Sequence, residues 1–281
     1  MPGAKLVVLI TLLTSGCSTV DIRDTLEHLS SNNPDSALKA KQIFNRVLTN
    51  YGAHQFDKKF NFARVTYMDQ WHNLPAKLFN SPYSDDMLVQ YEFLLNTFNS
   101  RLTFVEGPKK GEIWGIQNWL TYKKKIGDSY RAKRNFKIKF HLPARQFFFE
   151  LPFILRQFKY SYYLGEELKG ETQYHKLFFS NSTSTLKNSD QFIIYINKKS
   201  LNIDMIYYTI RELGASFKGA NHLSHFQRID GVLIPFHSDI YFSPEKKTQV
   251  HQFRIKKIEF KAFTEKESFY PFPGRSDSYT W

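Results

Sequence analysis

The chain has 281 residues, 42% of them hydrophobic and 23% charged, which excludes a disordered polymer and supplies enough apolar material for a large core. Its formal net charge of +13 directs attention to anionic partners, and a single cysteine excludes an internal disulfide, so packing alone must hold the fold. Aromatic residues reach 17%, with 27 Phe and 16 Tyr, a composition that suits strands around an apolar interior.

The first seventeen residues set the cellular context. Lys5 carries one positive charge, residues 6–13 form a short apolar run, and Thr14, Ser15 and Gly16 are small residues before Cys17. This is the order of a secretory signal. The apolar run falls short of the roughly twenty residues that a permanent membrane helix needs. Its end resembles a bacterial lipobox, whose cysteine is acylated and becomes the new N-terminus; Thr14 stands where that pattern usually has Leu. An ordinary signal peptide with an incidental cysteine is the alternative. The expectation is a signal peptide over residues 1–16 and lipid attachment at Cys17. Ser18 rather than an acidic residue follows, which in the lipoproteins this resembles favours the outer membrane, facing the periplasm. Export argues against nucleic acid as the anionic partner and makes lipid headgroups the nearest one. Residues 17–35 read as the lipidated cysteine and a solvated tether, in which Ile22, Leu26 and Leu29 are able to form a short helix.

The folded domain, residues 36–263, is expected to open with an amphipathic helix. Ala37, Ala40, Ile43, Phe44, Val47, Leu48 and Tyr51 recur at helical spacing, Asp35 or Ser36 can cap its start, and Gly52 can stop it. A core-packing helix is the plainer reading than one on a membrane surface, because strands follow at once. Residues 60–68 are rich in aromatic and β-branched types. Leu88, Leu94, Phe98, Leu102 and Phe104 sit on one parity of a long stretch that ends at Gly107-Pro108, interspersed with Gln90, Glu92, Asn96 and Ser100. Residues 113–122 read as one strand with Trp114 and Trp119 on opposite parities. In residues 136–142, Phe136, Ile138, Phe140 and Leu142 alternate with Lys137, Lys139 and His141, the pattern of a half-buried strand with a basic outer face.

Residues 147–158 form the most apolar segment of the mature chain, with Pro143 able to start a helix and Pro152 breaking it. Completing the core is the first reading of this segment, and a plug lining a cavity the second. Strands resume over residues 171–179, 191–196, 201–210, 226–231, 232–242 and 250–263, the last with a change of parity across Lys256-Lys257 as at a β-bulge. Short turns and no alternating helices predict a mainly β, antiparallel architecture. The tail, residues 264–281, contains Pro271 and Pro273 and is no central strand.

Catalytic constellations are thin. His222 and His225 are spaced i, i+3 but lack a neighbouring Cys, Asp or Glu to complete a zinc set, and read as ordinary loop residues. Gly127-Asp128-Ser129 lies in a Lys-rich loop without the strand–turn–helix context of a nucleophile turn. No metal, cofactor or enzyme signature is expected.

Several motifs occur in a definite order after the lipid-type cysteine and the amphipathic helix. They are Gly111-Glu112-Ile113-Trp114-Gly115, Glu150-Leu151-Pro152-Phe153, Tyr163-Leu164-Gly165, Gln191-Phe192-Ile193-Ile194-Tyr195-Ile196, and Ile229-Asp230-Gly231-Val232-Leu233-Ile234-Pro235. Together the chain resembles the LolA-like group, the outer-membrane lipoprotein-sorting proteins and their relatives, over residues 36–263. The resemblance implies an unclosed antiparallel β-barrel of about eleven strands, with helices filling the open side over an apolar cavity for acyl chains. This chain departs from the soluble carriers of that group in lacking their Arg-Pro…Phe-Arg-Trp run and in being basic and anchored.

On that fold the inward-facing candidates are Leu94, Phe98, Trp114, Trp119, Phe148, Phe153 and Leu155. Lys123, Lys124, Lys125 and Arg131 are candidates for a basic rim. Two functions follow. One is a lipid binder that takes acyl chains or lipidated cargo without covalent chemistry, at about 0.8 kcal/mol per buried methylene. The other is a structural or adaptor lipoprotein whose cavity is filled by its own Phe side chains and which binds an envelope protein. A cavity of about 300–1,000 Å³ separates the first from the second.

Overall fold

The computed structural model describes residues 19–24, 27, 33–73, 77, 86–184, 189–214, 216–244, 248–264 and 269–272. Cys17 and the signal segment lie outside them.

The first helix, α1 (Pro34–Tyr51), is capped by Asn33, two residues before the earlier of its two expected caps. The Asn33 side chain accepts the Asp35 N–H, and Pro34 occupies the first turn, where its missing N–H costs nothing. Ala40, Ile43, Phe44, Val47 and Tyr51 form the buried stripe. Gly52 ends the helix as expected, in the left-handed conformation (φ 81°), its N–H bonded to the last-turn carbonyls. A Cβ there would also stand 2.3 Å from the Gly231 carbonyl oxygen, so glycine is required twice over. A short helix, α2 (Ala53–Lys59), continues directly and buries Phe56.

The strands are β1 (Phe62–Trp71), β2 (Met87–Leu94), β3 (Ser100–Phe104), β4 (Ile113–Gln117), β5 (Leu120–Lys124) and β6 (Arg131–Ala132). After helix α3 (Phe136–Phe149) come β7 (Tyr160–Lys169), β8 (Thr172–Ser180), β9 (Gln191–Asn197), β10 (Ile203–Thr209), β11 (Lys218–Ile229), β12 (Val232–Tyr241) and β13 (Gln249–Lys261). They form one antiparallel sheet of thirteen strands in the order β6-β5-β4-β3-β2-β1-β13-β12-β11-β10-β9-β8-β7. Two meanders are therefore joined through the β1–β13 pair, and the sheet stays open between β6 and β7. The chain that connects those two edges is α3. It packs on β3, β4 and β5, while α1 packs on β7 and β12. The expected bulge is present: Thr66 pairs with Lys257 and Tyr67 with Ile255, leaving Lys256 as the extra residue.

Four expectations are corrected. Residues 136–142 are the first half of α3, not a strand. Ile138 and Leu142 satisfy a period of two and a period of 3.6 alike, and the Asn135 side chain accepts the Ile138 N–H at 3.0 Å, which starts a helix. Pro143 lies inside that helix rather than at its first turn. The stretch read as a long second strand is a hairpin, β2–β3, turning through Asn96 and Phe98, both at positive φ. The strand of residues 113–122 is likewise a hairpin, β4–β5, with Asn118 and Trp119 at φ 47° and 63°, the handedness a two-residue hairpin turn demands.

Part of the expected tether is not solvated: Ile22, Arg23 and Glu27 are buried, while Asp24 and residues 33–35 are exposed. Ile22 is buried on the outer face of the sheet against Leu164, Phe178 and Ile193, and its N–H bonds the Gln191 side chain at 3.1 Å. At the other end, Phe269 covers Phe62 and Leu94 on the outer face of β1 and β2.

Candidate ligand cavity and its helical plug

The interior between the curled sheet and its helices is a single large apolar cluster. Helix α3 closes it, and the two sides of α3 are held differently. Toward β1 and β2, Phe149 meets the rings of Tyr67 and Tyr91 at 5.4 and 6.0 Å, and a set of polar bonds fixes the helix beside them. The Tyr91 hydroxyl donates to the Leu142 carbonyl at 2.7 Å. Arg145 forms a buried ion pair with Asp69, which also meets His251 Nδ1 at 3.4 Å. Gln146 donates to the Leu94 carbonyl at 2.9 Å. The Asn96 N–H donates to the Glu150 carboxylate at 3.0 Å, and Gln146 donates to it as well. Burial pushes the Glu150 carboxyl up to about 7, against the lowering pull of the Gln146 and Asn96 hydrogen bonds.

Toward β9 and β10 the contacts are rings. Phe147 stacks on Phe192 with centroids 4.7 Å apart, Phe148 meets Tyr208 at 5.3 Å, and Phe158 meets Phe192 at 5.3 Å. No hydrogen bond between α3 and β9 or β10 is found among the described residues.

Beneath this seam lies a cavity of about 20 Å³, room for about one water molecule. Its walls are Phe148, Phe149, Ile234, Phe236, Phe253 and Ile255, and Arg145 reaches one end. A wider hollow of about 440 Å³ is an open trough outside α1 and α2, lined largely by polar residues such as Asn45, Thr49 and His54.

Six of the seven expected cavity residues, all but Leu94, lie in or against the main cluster, but only Phe148 lines the small cavity. Phe153 is fully buried and stacks on Phe56 at 3.9 Å, and Leu155 is buried beside it in the turn after α3. Phe98 and Trp119, from two neighbouring turns, meet at 6.0 Å. Trp114 packs on Phe104 at 5.1 Å, with the Lys123 ammonium 3.9 Å from its ring centre. Leu94 is elsewhere, on the outer face under Phe269. The inward set of β2 is Met87, Val89, Tyr91 and Phe93, because Gln90 and Glu92 share the parity of Leu94. Glu92 is held on that outer face by Arg64 and Arg101, each at 2.6 Å. Sequence reasoning missed Arg145, Phe149, Phe236, Phe253 and Ile255. Asp69 was the available signal: it stands on the inward parity of β1 with Val65 and Tyr67, and a carboxylate there requires a cation opposite.

The architecture matches a solved one. The chain superposes on an outer membrane lipoprotein-sorting protein domain from Vibrio parahaemolyticus with a TM-score of 0.51 at 9% identity, covering 83% of this chain and 97% of that one. The chain has the LolA-like fold. A LolA superfamily protein from Nitrosomonas europaea gives a TM-score of 0.47 at 12% identity, over 79% of this chain and 95% of that one. A DUF1329 family protein from Desulfovibrio piger gives 0.49 at 8%, over 82% and 97%. No family model matches the chain, and no curated protein does. The LolA-like barrel here has thirteen strands and carries two outer-face straps, residues 19–24 and 269–272, on opposite halves of the sheet.

Proposed function

We propose that this protein is a lipid-binding lipoprotein of the bacterial envelope that takes acyl chains, or the acyl chains of lipidated cargo, between its sheet and α3. The observation that carries this reading is the two-sided hold on α3. A plug fastened by directional polar bonds on one side and by rings alone on the other can swing about the first and part at the second. Parting the seam of Phe147, Phe148 and Phe158 would join the small cavity to an interior that has aromatic and branched walls, which suit an acyl chain without polar groups to satisfy. The shared fold with a domain named for outer membrane lipoprotein sorting supports the same class. No covalent step is required, since transfer or sequestration rests on apolar burial.

A cavity of only about 20 Å³ favours a second reading, an adaptor whose core is filled by its own side chains and whose surface binds an envelope protein. Native mass spectrometry of the purified protein, together with uptake of a fluorescent fatty acid, decides between them. Co-purified lipid or saturable uptake supports the carrier. Neither, at any concentration below vesicle formation, hands the function to the adaptor. Anchoring at Cys17 in the outer membrane belongs to the same proposal, and an equally membrane-bound Cys17→Ala variant would sink it.

A further inference from the structure

Charge is unevenly distributed over this molecule. Residues 123–139 contain eight Lys and Arg and a single acid, Asp128, so more than half of the formal +13 lies in one short segment. That segment is β5, its turn, the edge strand β6 and the first turn of α3, one continuous border of the open sheet. Lys125, Arg131, Lys133, Arg134 and Lys139 are exposed, and among the described residues none of these five forms an ion pair with a carboxylate. The crowding has an electrostatic effect within the segment. Burial, together with the charges of Lys109, Lys133 and Lys125, holds the Lys123 ammonium below its ordinary value despite the opposing pull of Glu112.

Lysines on an edge strand guard against edge-to-edge pairing, but that role needs no exposed apolar residues among them. Here Ile126, at the tip of the β5–β6 turn, is 75% exposed, and Phe136, at the start of α3, is 56% exposed. Two apolar side chains among unpaired bases match a surface that is anionic outside and apolar a few ångströms down. They do not match a nucleic acid or an acidic peptide, which would leave them in water. We propose that this border is a docking surface for an anionic lipid bilayer, with Ile126 and Phe136 entering the headgroup layer. The border shares only the first turn of α3 with the plug and none of the seam residues Phe147, Phe148 and Phe158, so the proposal stands whether or not the interior takes acyl chains. Its position is also consistent with an anchor. The Lys139 charge acts on Glu212 in the β10–β11 turn, and Arg211 of that turn donates to the Val20 carbonyl, three residues from Cys17.

The test uses the chain from residue 19 onward, which holds every described residue and lacks the anchor. Co-sedimentation with vesicles of phosphatidylglycerol mixed into phosphatidylcholine should be strong, should fall as salt shortens the reach of the charges, and should be absent with phosphatidylcholine alone. Reversing Lys125, Arg131, Lys133 and Arg134 to Glu should weaken it by about a hundredfold or more. Reversing four exposed lysines elsewhere, Lys58, Lys59, Lys199 and Lys256, should weaken it by less than about tenfold. Ile126→Ser with Phe136→Ser, at unchanged charge, should cost about tenfold. Equal losses from the two charge reversals would overturn the proposal, as would vesicle binding indifferent to Ile126 and Phe136 while an oligonucleotide binds as tightly. Fatty-acid uptake should be unchanged in the four-Glu border variant, none of whose positions lies on α3, which keeps this result apart from the carrier reading.

Discussion

The two sides of α3 teach different things about how this barrel is closed. On the β1–β2 side, Tyr91, Asp69, the Leu94 carbonyl and the Asn96 N–H each fix one group on the helix, so position and register are set by directional bonds. On the β9–β10 side, Phe147, Phe148 and Phe158 lie against Phe192 and Tyr208, a contact that is strong in area but indifferent to sliding. A buried polar bond is costly to break part-way, because it leaves an unsatisfied group. A ring contact can be exchanged for another apolar surface at little cost. On the proposed carrier reading the first side is the hinge and the second the seam, because an acyl chain is the kind of surface that can replace a ring.

The comparison is broken most severely at its ion pair. Asp69→Ala leaves the Arg145 guanidinium buried without its carboxylate and should destabilise the fold by about 3–5 kcal/mol in urea denaturation. Replacing both residues together, Asp69→Leu with Arg145→Met, should recover most of that loss, since the buried charge goes with its partner. A single variant that unfolds at the parent's midpoint would mean that this side of the plug is not held by charge.

Glu150 gives the next largest effect, through pH. Its folded-state pKa of about 7 lies above the ordinary 4.5, so the fold prefers the protonated carboxyl. The penalty is absent below the ordinary value, grows as pH rises through the window from 4.5 to 7, and is complete above it, at about 3 kcal/mol. Stability should therefore fall across that window, and Glu150→Gln should flatten the slope and exceed the parent above pH 7. An unchanged slope in the variant would place the titration elsewhere.

Much of this fold was legible in the sequence because the relevant signals are local. The stripe from Ala40 to Tyr51, the stop at Gly52 and the parity change at Lys256-Lys257 each rest on a few adjacent residues, and each is where it was expected. The LolA-like open barrel follows from the order of the motifs. What failed was arbitration between periods. Ile138 and Leu142 fit strand and helix equally, and only the Asn135 cap, one residue outside the pattern, separates them. The turns at Asn96–Phe98 and Asn118-Trp119 put bulky residues at positive φ, where glycine is the usual marker, so both hairpins read as single strands. Leu94 went to the wrong face for the same reason: a missed turn hides which parity is buried. The cavity walls on β12 and β13 were not legible at all, because they depend on which strands curl toward α3.

The seam should respond to Phe148→Ala. This ring is half-buried at the lip of the small cavity, so its loss should cost about 2 kcal/mol, less than a fully buried Phe, and should raise the rate of fatty-acid uptake by widening the entrance. Lower uptake at retained fold would count against entry at this point.

The smallest effect is the sharpest test of the asymmetry. Tyr91→Phe removes one neutral hydrogen bond, to the Leu142 carbonyl, and keeps the ring that packs on Phe93 and Phe149. The expected cost is about 1 kcal/mol by denaturation. Because Arg145, Gln146 and Glu150 still hold the same side, the helix should keep its position, and uptake should match the parent even though stability falls. Phe148→Ala should do the reverse in proportion, with a large change in uptake for a modest change in stability. Entry through the seam predicts that uptake follows the side of α3 that is altered, not the stability lost. Should Tyr91→Phe raise uptake as much as Phe148→Ala, then α3 loosens as a whole, both sides act as one clasp, and entry needs the helix to leave the barrel rather than to swing.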